Sequence, residues 1–169
     1  MTFALPESVL VIVHTSDLQV LLLQRVARRG WWQSVTGARE PQDASLRDTA
    51  RRELQEETGI QADATLHDWH WVNRYSLWPA WRHRYAPDVT HNVEYTLSAC
   101  VPAPRAVRLS PSEHERYVWM SWRDAIDRCF GPTNREALRR LPSETRRSEA
   151  RKPENEIAPR DSDFWPSDF

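Results

Sequence analysis

Residues 31–60 read WWQSVTGAREPQDASLRDTARRELQEETGI, and they place Glu53, Glu56 and Glu57 at i, i+3 and i+4 spacing. In a helix these three carboxylates project from neighbouring positions on one side. Ser45-x-x-Asp48 is a capping-box-like start and Gly59 a natural stop, which predicts a helix of about fourteen residues. At about 100° per residue, Leu46, Ala50 and Leu54 form its apolar stripe, while Glu53 and Glu57 fall within about 20° of Leu46. Two of the carboxylates therefore face inward. Arg52 and Glu56 form an i,i+4 surface pair, and ordinary solvation accounts for Glu56. It does not account for Glu57, because a carboxylate at a core margin costs several kcal/mol unless it is paired or bound to a metal. On helical phase alone, basic neighbours and a multivalent cation both remain open as the neutralising agent.

The rest of the chain sets bounds. Its 169 residues suit one domain. A formal charge of -1 provides no global field toward nucleic acid or an anionic membrane, so an anionic ligand must be attracted locally. Cys100 and Cys129 are far apart and form no CxxC pair, which argues against a disulfide framework or thiolate cluster and fits a reducing, cytoplasmic setting. The start MTFALPESVLVIVH has no basic n-region, and its apolar run is too short for a signal core or a membrane span.

Outward from the helix, residues 8–14 (SVLVIVH) and 19–24 (QVLLLQ) read as a hairpin of two buried strands. Residues 25–30 form a basic loop, and WWQSVTG reads as a short strand entering a turn at Gly37. Further strand-like runs lie at about residues 65–75, 92–101 and 115–122, with helical patterns at about 122–129 and 133–141. Without regular βα alternation, this predicts a mixed α/β (α+β) domain, a mixed sheet flanked by helices and not a doubly wound nucleotide-binding fold. Trp69, Trp71, Trp119 and Trp122 fall in strand-like runs and are expected in the core. From Pro142 the composition turns to charge and proline, so residues 1–141 form the expected domain and residues 142–169 a tail. That tail reads as a disordered or loosely docked arm; its aromatic ending, with SDF occurring twice, is compatible with an anchor on the body or a partner.

The run Arg52-Glu53-Leu54-Gln55-Glu56-Glu57-Thr58-Gly59-Ile60, read back to Gly37, resembles the signature of Nudix hydrolases: a glycine and acidic loop followed by R-E-U-x-E-E-x-G-U, where U is aliphatic. The stretch from Gly37 to Arg52 is one residue longer than the family spacing, and Asp43 stands where the loop glutamate is usual. Anchored on the helix instead, Ala44 takes the acid's place, and the insertion lies in residues 41–44, ahead of the cap. A loop absorbs one residue cheaply, whereas the same shift inside the helix would rotate the carboxylates away. WWQSVTG, RHRYAPDVTHNVEY at residues 82–95, and Glu113-His114-Glu115-Arg116-Tyr117-Val118-Trp119 are similar to segments of the bacterial dihydroneopterin triphosphate diphosphatase subfamily. The likeness spans roughly residues 8–141.

The resemblance implies a single-domain α-β-α sandwich around a mixed sheet. It also implies Mg²⁺-dependent hydrolysis of dihydroneopterin triphosphate, with Mn²⁺ as a possible substitute. Carboxylate oxygens are the ligands Mg²⁺ prefers, so Glu53, Glu56 and Glu57 are the expected ligands or water activators. The Gly37 carbonyl is a further ligand by resemblance, and Arg52 braces the acids. Glu113 is the candidate ligand or base from outside the helix; a solvent-facing loop acid beside Ser112 is the equal alternative. Arg25, Arg82 and Arg84 are candidates for substrate phosphates, since arginine offers a planar fork of donors and Lys152 is the single lysine. Trp32, Trp81 or Tyr85 could stack on a flat heterocycle, with Gln33, Ser34, His83 and Asn92 at its edge.

The expected partner is thus a small-molecule triphosphate, with no nucleic acid and no membrane. Two alternatives share the helix: a house-cleaning (d)NTP pyrophosphohydrolase, and a catalytically silent module that binds a nucleotide or protein. No GxSxG elbow, glycine-rich phosphate loop or HExxH occurs. His67-x-x-His70 lies in a strand-like run where that spacing sends the rings to opposite faces, so it is read as non-metal.

Overall fold

The computed structural model describes residues 3–61 and 66–150. Strand β1 (Glu7–Thr15) and strand β2 (Gln19–Arg25) are antiparallel, as the two apolar runs predict, but His14 opposite Val20 is their registered pair and beyond it they diverge. The WWQSVTG segment fills the fork: β3 (Trp32–Gln33) pairs with β2, and β4 (Val35–Ala38) pairs with β1 from Val11 down to Ser8. Gly37 is therefore not a turn residue. It sits inside β4 opposite Val9, because the edge of β1 left open by the departing β2 captures this segment as strand. The chain turns later, where the Asp43 N–H donates to the Glu40 carbonyl at 3.0 Å.

On its other edge β1 is parallel to β6 (His91–Val101), which is antiparallel to β5 (Leu66–Ser76); β7 (His114–Ser121) covers the outer edge of β2. The seven strands form one mixed sheet. Helix α1 (Leu46–Thr58) and the pair α2 (Trp122–Arg128) and α3 (Pro132–Ala150) cover opposite faces. Alternation along β1 makes this possible: Val9, Val11 and Val13 join Ala50 and Leu54 of α1, while Leu10 and Ile12 join Leu138 and Leu141 of α3. The result is the expected α-β-α sandwich. Trp69 is buried, and Trp71, Trp119 and Trp122 pack against the two clusters. A two-turn 3₁₀ segment at Pro79–Arg84 has no counterpart in the sequence reading.

The composition change at Pro142 does not end the last helix, which runs on to Ala150 with Pro142 inside it. An internal proline costs roughly 3 kcal/mol. Leu138 and Leu141, both 0% exposed, each contribute about 1.5–3 kcal/mol by burial, and Glu144 is also buried. Packing on the sheet thus outweighs the break. Residues 151–169 of the expected tail, and Thr65 of the run at 65–75, lie outside the described residues. No described helix is long and apolar enough to cross a membrane.

Candidate active site

Helix α1 positions the acids as its phase predicts. The Ser45 side chain accepts from the Asp48 N–H at 3.2 Å, and Gly59, at φ 70°, closes the helix with its N–H on the Gln55 carbonyl. Glu53 and Glu57 are buried, while the Glu56 side chain is 54% exposed. Arg52 reaches across the start of the loop with every donor group engaged. Its Nη2 donates to the Ala38 carbonyl at 2.8 Å and to Asp43 Oδ2 at 2.9 Å, and its Nε to Asp43 Oδ1 at 3.2 Å. Its Nη1 donates to Glu53 at 2.7 Å and to Glu56 at 3.3 Å.

The loop acid is thereby identified. Asp43 is buried in a fork with Arg52 and also accepts from the Glu40 N–H and the Thr49 hydroxyl, whereas Ala44 is exposed. The Arg52 guanidinium holds the Asp43 carboxyl down at about 2, with the Glu40 N–H and Thr49 assisting against the opposing effect of burial. The extra residue is absorbed in the turn, and aspartate does the bracing that the shorter spacing assigns to glutamate.

Gly37 and Glu53 explain each other. A Cβ built on Gly37 would lie 1.7 Å from Glu53 Cδ, so the glycine leaves the space in which the carboxyl rests against the β4 backbone. Burial raises that carboxyl to about 7; Arg52 pulls it down, and Glu57 and Glu56 add to the rise. Glu57 is 1% exposed, and burial raises its pKa against the pull of His114. Its Oε1 is 3.3 Å from Nε2 of His114, a residue 2% exposed at the start of β7. Glu113, in the turn before β7, joins them: one donor atom each from Glu57, Glu113 and His114 lie within 4.8 Å of one another. The turn is pinned by the N–H groups of Glu113 and His114 on the Ser110 carbonyl and by the Val26 N–H on the Glu113 carbonyl.

The candidate substrate residues divide into two groups. Arg25 lies opposite His114 in the β2–β7 register, next to the acids. Arg84 lines a cleft of about 450 Å³ with Phe3, Arg39, Glu40 and Ala38, whose carbonyl anchors Arg52. Arg82 and His83 are exposed on the 3₁₀ turn, and Tyr85 is half-buried just after it. Trp32 forms a wall of a second cleft of about 570 Å³, with the Arg128 guanidinium 4.9 Å from its ring centroid. Gln33 donates to the Thr36 hydroxyl. Ser34 and Asn92 are placed as supports and not at an open edge. Ser34 is 1% exposed and held by Asn134 through both its N–H and its hydroxyl, and Asn92 bonds Ser8 and the Tyr75 hydroxyl. Both are buried and hydrogen-bonded to residues distant in sequence, which sequence alternation does not reveal.

The chain matches the NUDIX domain over residues 4–141. It belongs to the NUDIX family. It is 34% identical over 138 residues to the Haemophilus influenzae dihydroneopterin triphosphate diphosphatase, covering 79% of this chain and 85% of that protein. The Escherichia coli K12 protein of the same name is 34% identical over 137 residues, with 79% and 89% covered. The solved structure of the E. coli dihydroneopterin triphosphate pyrophosphohydrolase superposes with a TM-score of 0.74 at 32% identity, covering 85% of this chain and 99% of that one. A NUDIX hydrolase from Listeria monocytogenes, at 22% identity and TM-score 0.69, shares the fold.

Around this Nudix helix, sequence reasoning missed two features. His114 stands within the quoted Glu113 segment, and its burial beside three exposed residues, Glu115, Arg116 and Tyr117, is visible only in the fold. Trp31 stacks on Phe130 at 3.3 Å, meets Trp78 edge-on at 5.9 Å, and carries Arg28 4.4 Å over its ring. These aromatics are distant in sequence; the Phe130 N–H on the Trp32 carbonyl and the Trp32–Cys129 bridge bring Trp31 and Phe130 together.

Proposed function

We propose that this Nudix hydrolase converts dihydroneopterin triphosphate to the monophosphate and pyrophosphate, with Mg²⁺ held by Glu53, Glu56, Glu57 and the Gly37 carbonyl and Glu113 adding a further oxygen. The observation that carries the reading is that Glu53 lies within electrostatic reach of Glu56 and Glu57, and Glu57 of Glu113, in a chain that spans most of two curated relatives of that name. The residues fit a divalent cation on physical grounds: Glu57 Oε2 is buried with no hydrogen-bond partner among the described residues, and Gly37 leaves a cradle beside Glu53 that a methyl group would fill. When bound, Mg²⁺ acidifies an attacking water and offsets charge on the phosphate oxygens.

The chain's own groups supply the rest. Arg52 holds Glu53 and Glu56 in place through its Asp43 fork, fixing the distance between acids that would otherwise repel. Glu53 on the helix and Glu113 in the turn before β7 are the acids we assign to take a proton from the attacking water. Arg25 and Arg84 flank the acids and suit the phosphate chain. Burial pushes the Cys129 thiol up to about 12, so it is inert, and we infer a reducing cytoplasm as the protein's setting.

The test compares pyrophosphate release from dihydroneopterin triphosphate and from dATP, each with Mg²⁺ and with chelator. The expected outcome is Mg²⁺-dependent release at higher kcat/KM from the pterin. A preference for dATP would make the protein a nucleotide house-cleaning hydrolase, and no release from either would make it a silent binding module.

A further inference from the structure

The polar groups around Glu57 are left unfinished by the protein itself. His114 is 2% exposed, and among the described residues neither of its ring nitrogens has a hydrogen-bond partner; Glu57 Oε2 has none either. Nε2 and Glu57 Oε1 are 3.3 Å apart, yet they are not aligned as a hydrogen bond. A buried, unsatisfied polar group costs roughly 1–3 kcal/mol, and more when it carries charge. Two such residues side by side mark a place where something else completes the set.

The chemistry of the donors indicates what that is. Glu57, Glu113 and His114 each offer one atom within 4.8 Å of the other two. Donors about 2.1 Å from a shared ion lie up to about 4.2 Å apart, so a small inward movement of the exposed Glu113 side chain closes the set. His114 cannot retreat, since its N–H is tied to Ser110 and its place in β7 lies opposite Arg25 across β2. Arg52, the cation that balances Glu53 and Glu56, makes no ion pair with Glu57 among those described.

We propose that His114 Nε2 is a nitrogen ligand in a cation seat completed by Glu57 and Glu113, and that this seat prefers Mn²⁺, Co²⁺ or Zn²⁺ over Mg²⁺. Magnesium favours all-oxygen, largely hydrated coordination, whereas imidazole with carboxylate suits the borderline transition ions. The seat shares Glu57 and Glu113 with the Mg²⁺ site of the proposed function and rests on that reading in treating both as metal ligands; the nitrogen ligand and the ion selectivity it confers go beyond it.

The test uses the full chain and Mn²⁺ alone, read by pulsed electron paramagnetic resonance for coupling of the ion to nitrogen. The expected result is a ¹⁴N modulation that switches to the ¹⁵N pattern when the protein is grown with ¹⁵N-histidine. It should vanish in His114→Gln together with a roughly tenfold or greater loss of Mn²⁺ affinity by calorimetry. The labelled parent protein decides the matter even if the variant fails to fold. Bound Mn²⁺ without histidine coupling would overturn the nitrogen ligand and leave the carboxylate site standing. No Mn²⁺ uptake would overturn this seat, and with no Mg²⁺ uptake either, the metal-dependent function falls too.

Discussion

Replacing Asp43 with asparagine tests the brace on which the acids depend. The substitution keeps the side chain's size and removes the charge that forks onto Arg52 Nε and Nη2 at 3.2 and 2.9 Å. The Asp43 carboxyl is held at about 2 against an ordinary 3.8, which corresponds to about 2 kcal/mol favouring its ionised form in the fold. Because the folded value is depressed, this stabilisation is fully present above pH 3.8 and is lost as pH falls through 2. Urea unfolding at pH 6 should therefore show Asp43→Asn less stable by about 2 kcal/mol, a drop in Tm of about 4–8 °C for a domain of this size. The parent and variant curves should approach one another toward pH 2, since the parent's advantage is then protonated away. Activity should fall as well, because Arg52 is released to lean on Glu53 and Glu56. Adding Ala44→Glu to the variant should restore neither property, since residue 44 is exposed and outside the fork. Equal urea midpoints at pH 6, or a constant gap between the two proteins down to pH 2, would refute the assignment of Asp43 as the loop acid.

Other perturbations follow from the same geometry. Gly37→Ala places a methyl group 1.7 Å from Glu53 Cδ; turnover should fall on the order of 100-fold with the circular dichroism spectrum retained, and full activity would mean that Glu53 does not need this seat. Glu53 is raised from 4.5 to about 7, so in chelator its protonated form stabilises the fold below pH 4.5 and that contribution, about 3 kcal/mol, is lost as pH rises through 7. Chemical denaturation of Glu53→Gln should lack this loss, and identical pH slopes in the two proteins would count against it. Glu56 is more than half exposed, so Glu56→Gln should leave stability within about 0.5 kcal/mol of the parent while pyrophosphate release drops sharply; parent-like release would remove Glu56 from the ligand set.

What could be read from the sequence was whatever one helix's period determines. The caps at Ser45 and Gly59, the stripe of Ala50 and Leu54, and the inward direction of Glu53 and Glu57 are all consequences of local spacing, and the fold preserves them. Gly37 was identified correctly as special but for a different reason: the close approach comes from Glu53 sixteen positions later, not from a turn, and only the β1–β2 fork makes it a strand residue. Whether Asp43 or Ala44 would meet Arg52 was open because loop geometry is not periodic. Ser34 and Asn92 looked like edge groups for a ligand, yet their partners, Asn134 and Ser8, lie far away in the chain. Pro142 misled as a helix terminator because its cost is local while the burial of Leu138 and Leu141 is tertiary.

One helix tolerates so many acids in two different ways along its length. Arg52 is a single cation facing Asp43, Glu53 and Glu56, so this half of the site carries an excess of negative charge even with every arginine donor engaged. One turn further on, Glu57 makes no ion pair with an arginine among the described residues; its Oε1 lies 3.3 Å from His114 Nε2, and its Oε2 has no hydrogen-bond partner there. A fold selected for stability alone would replace a buried glutamate with one unsatisfied oxygen by an apolar residue of similar volume, since such replacements are often neutral or stabilising. Glu57 is retained at a structural cost that a divalent cation would offset. On the proposed function, the Nudix helix is an incomplete ion-binding surface whose bracing is internal, with its remaining charge left for a divalent cation and the substrate phosphates.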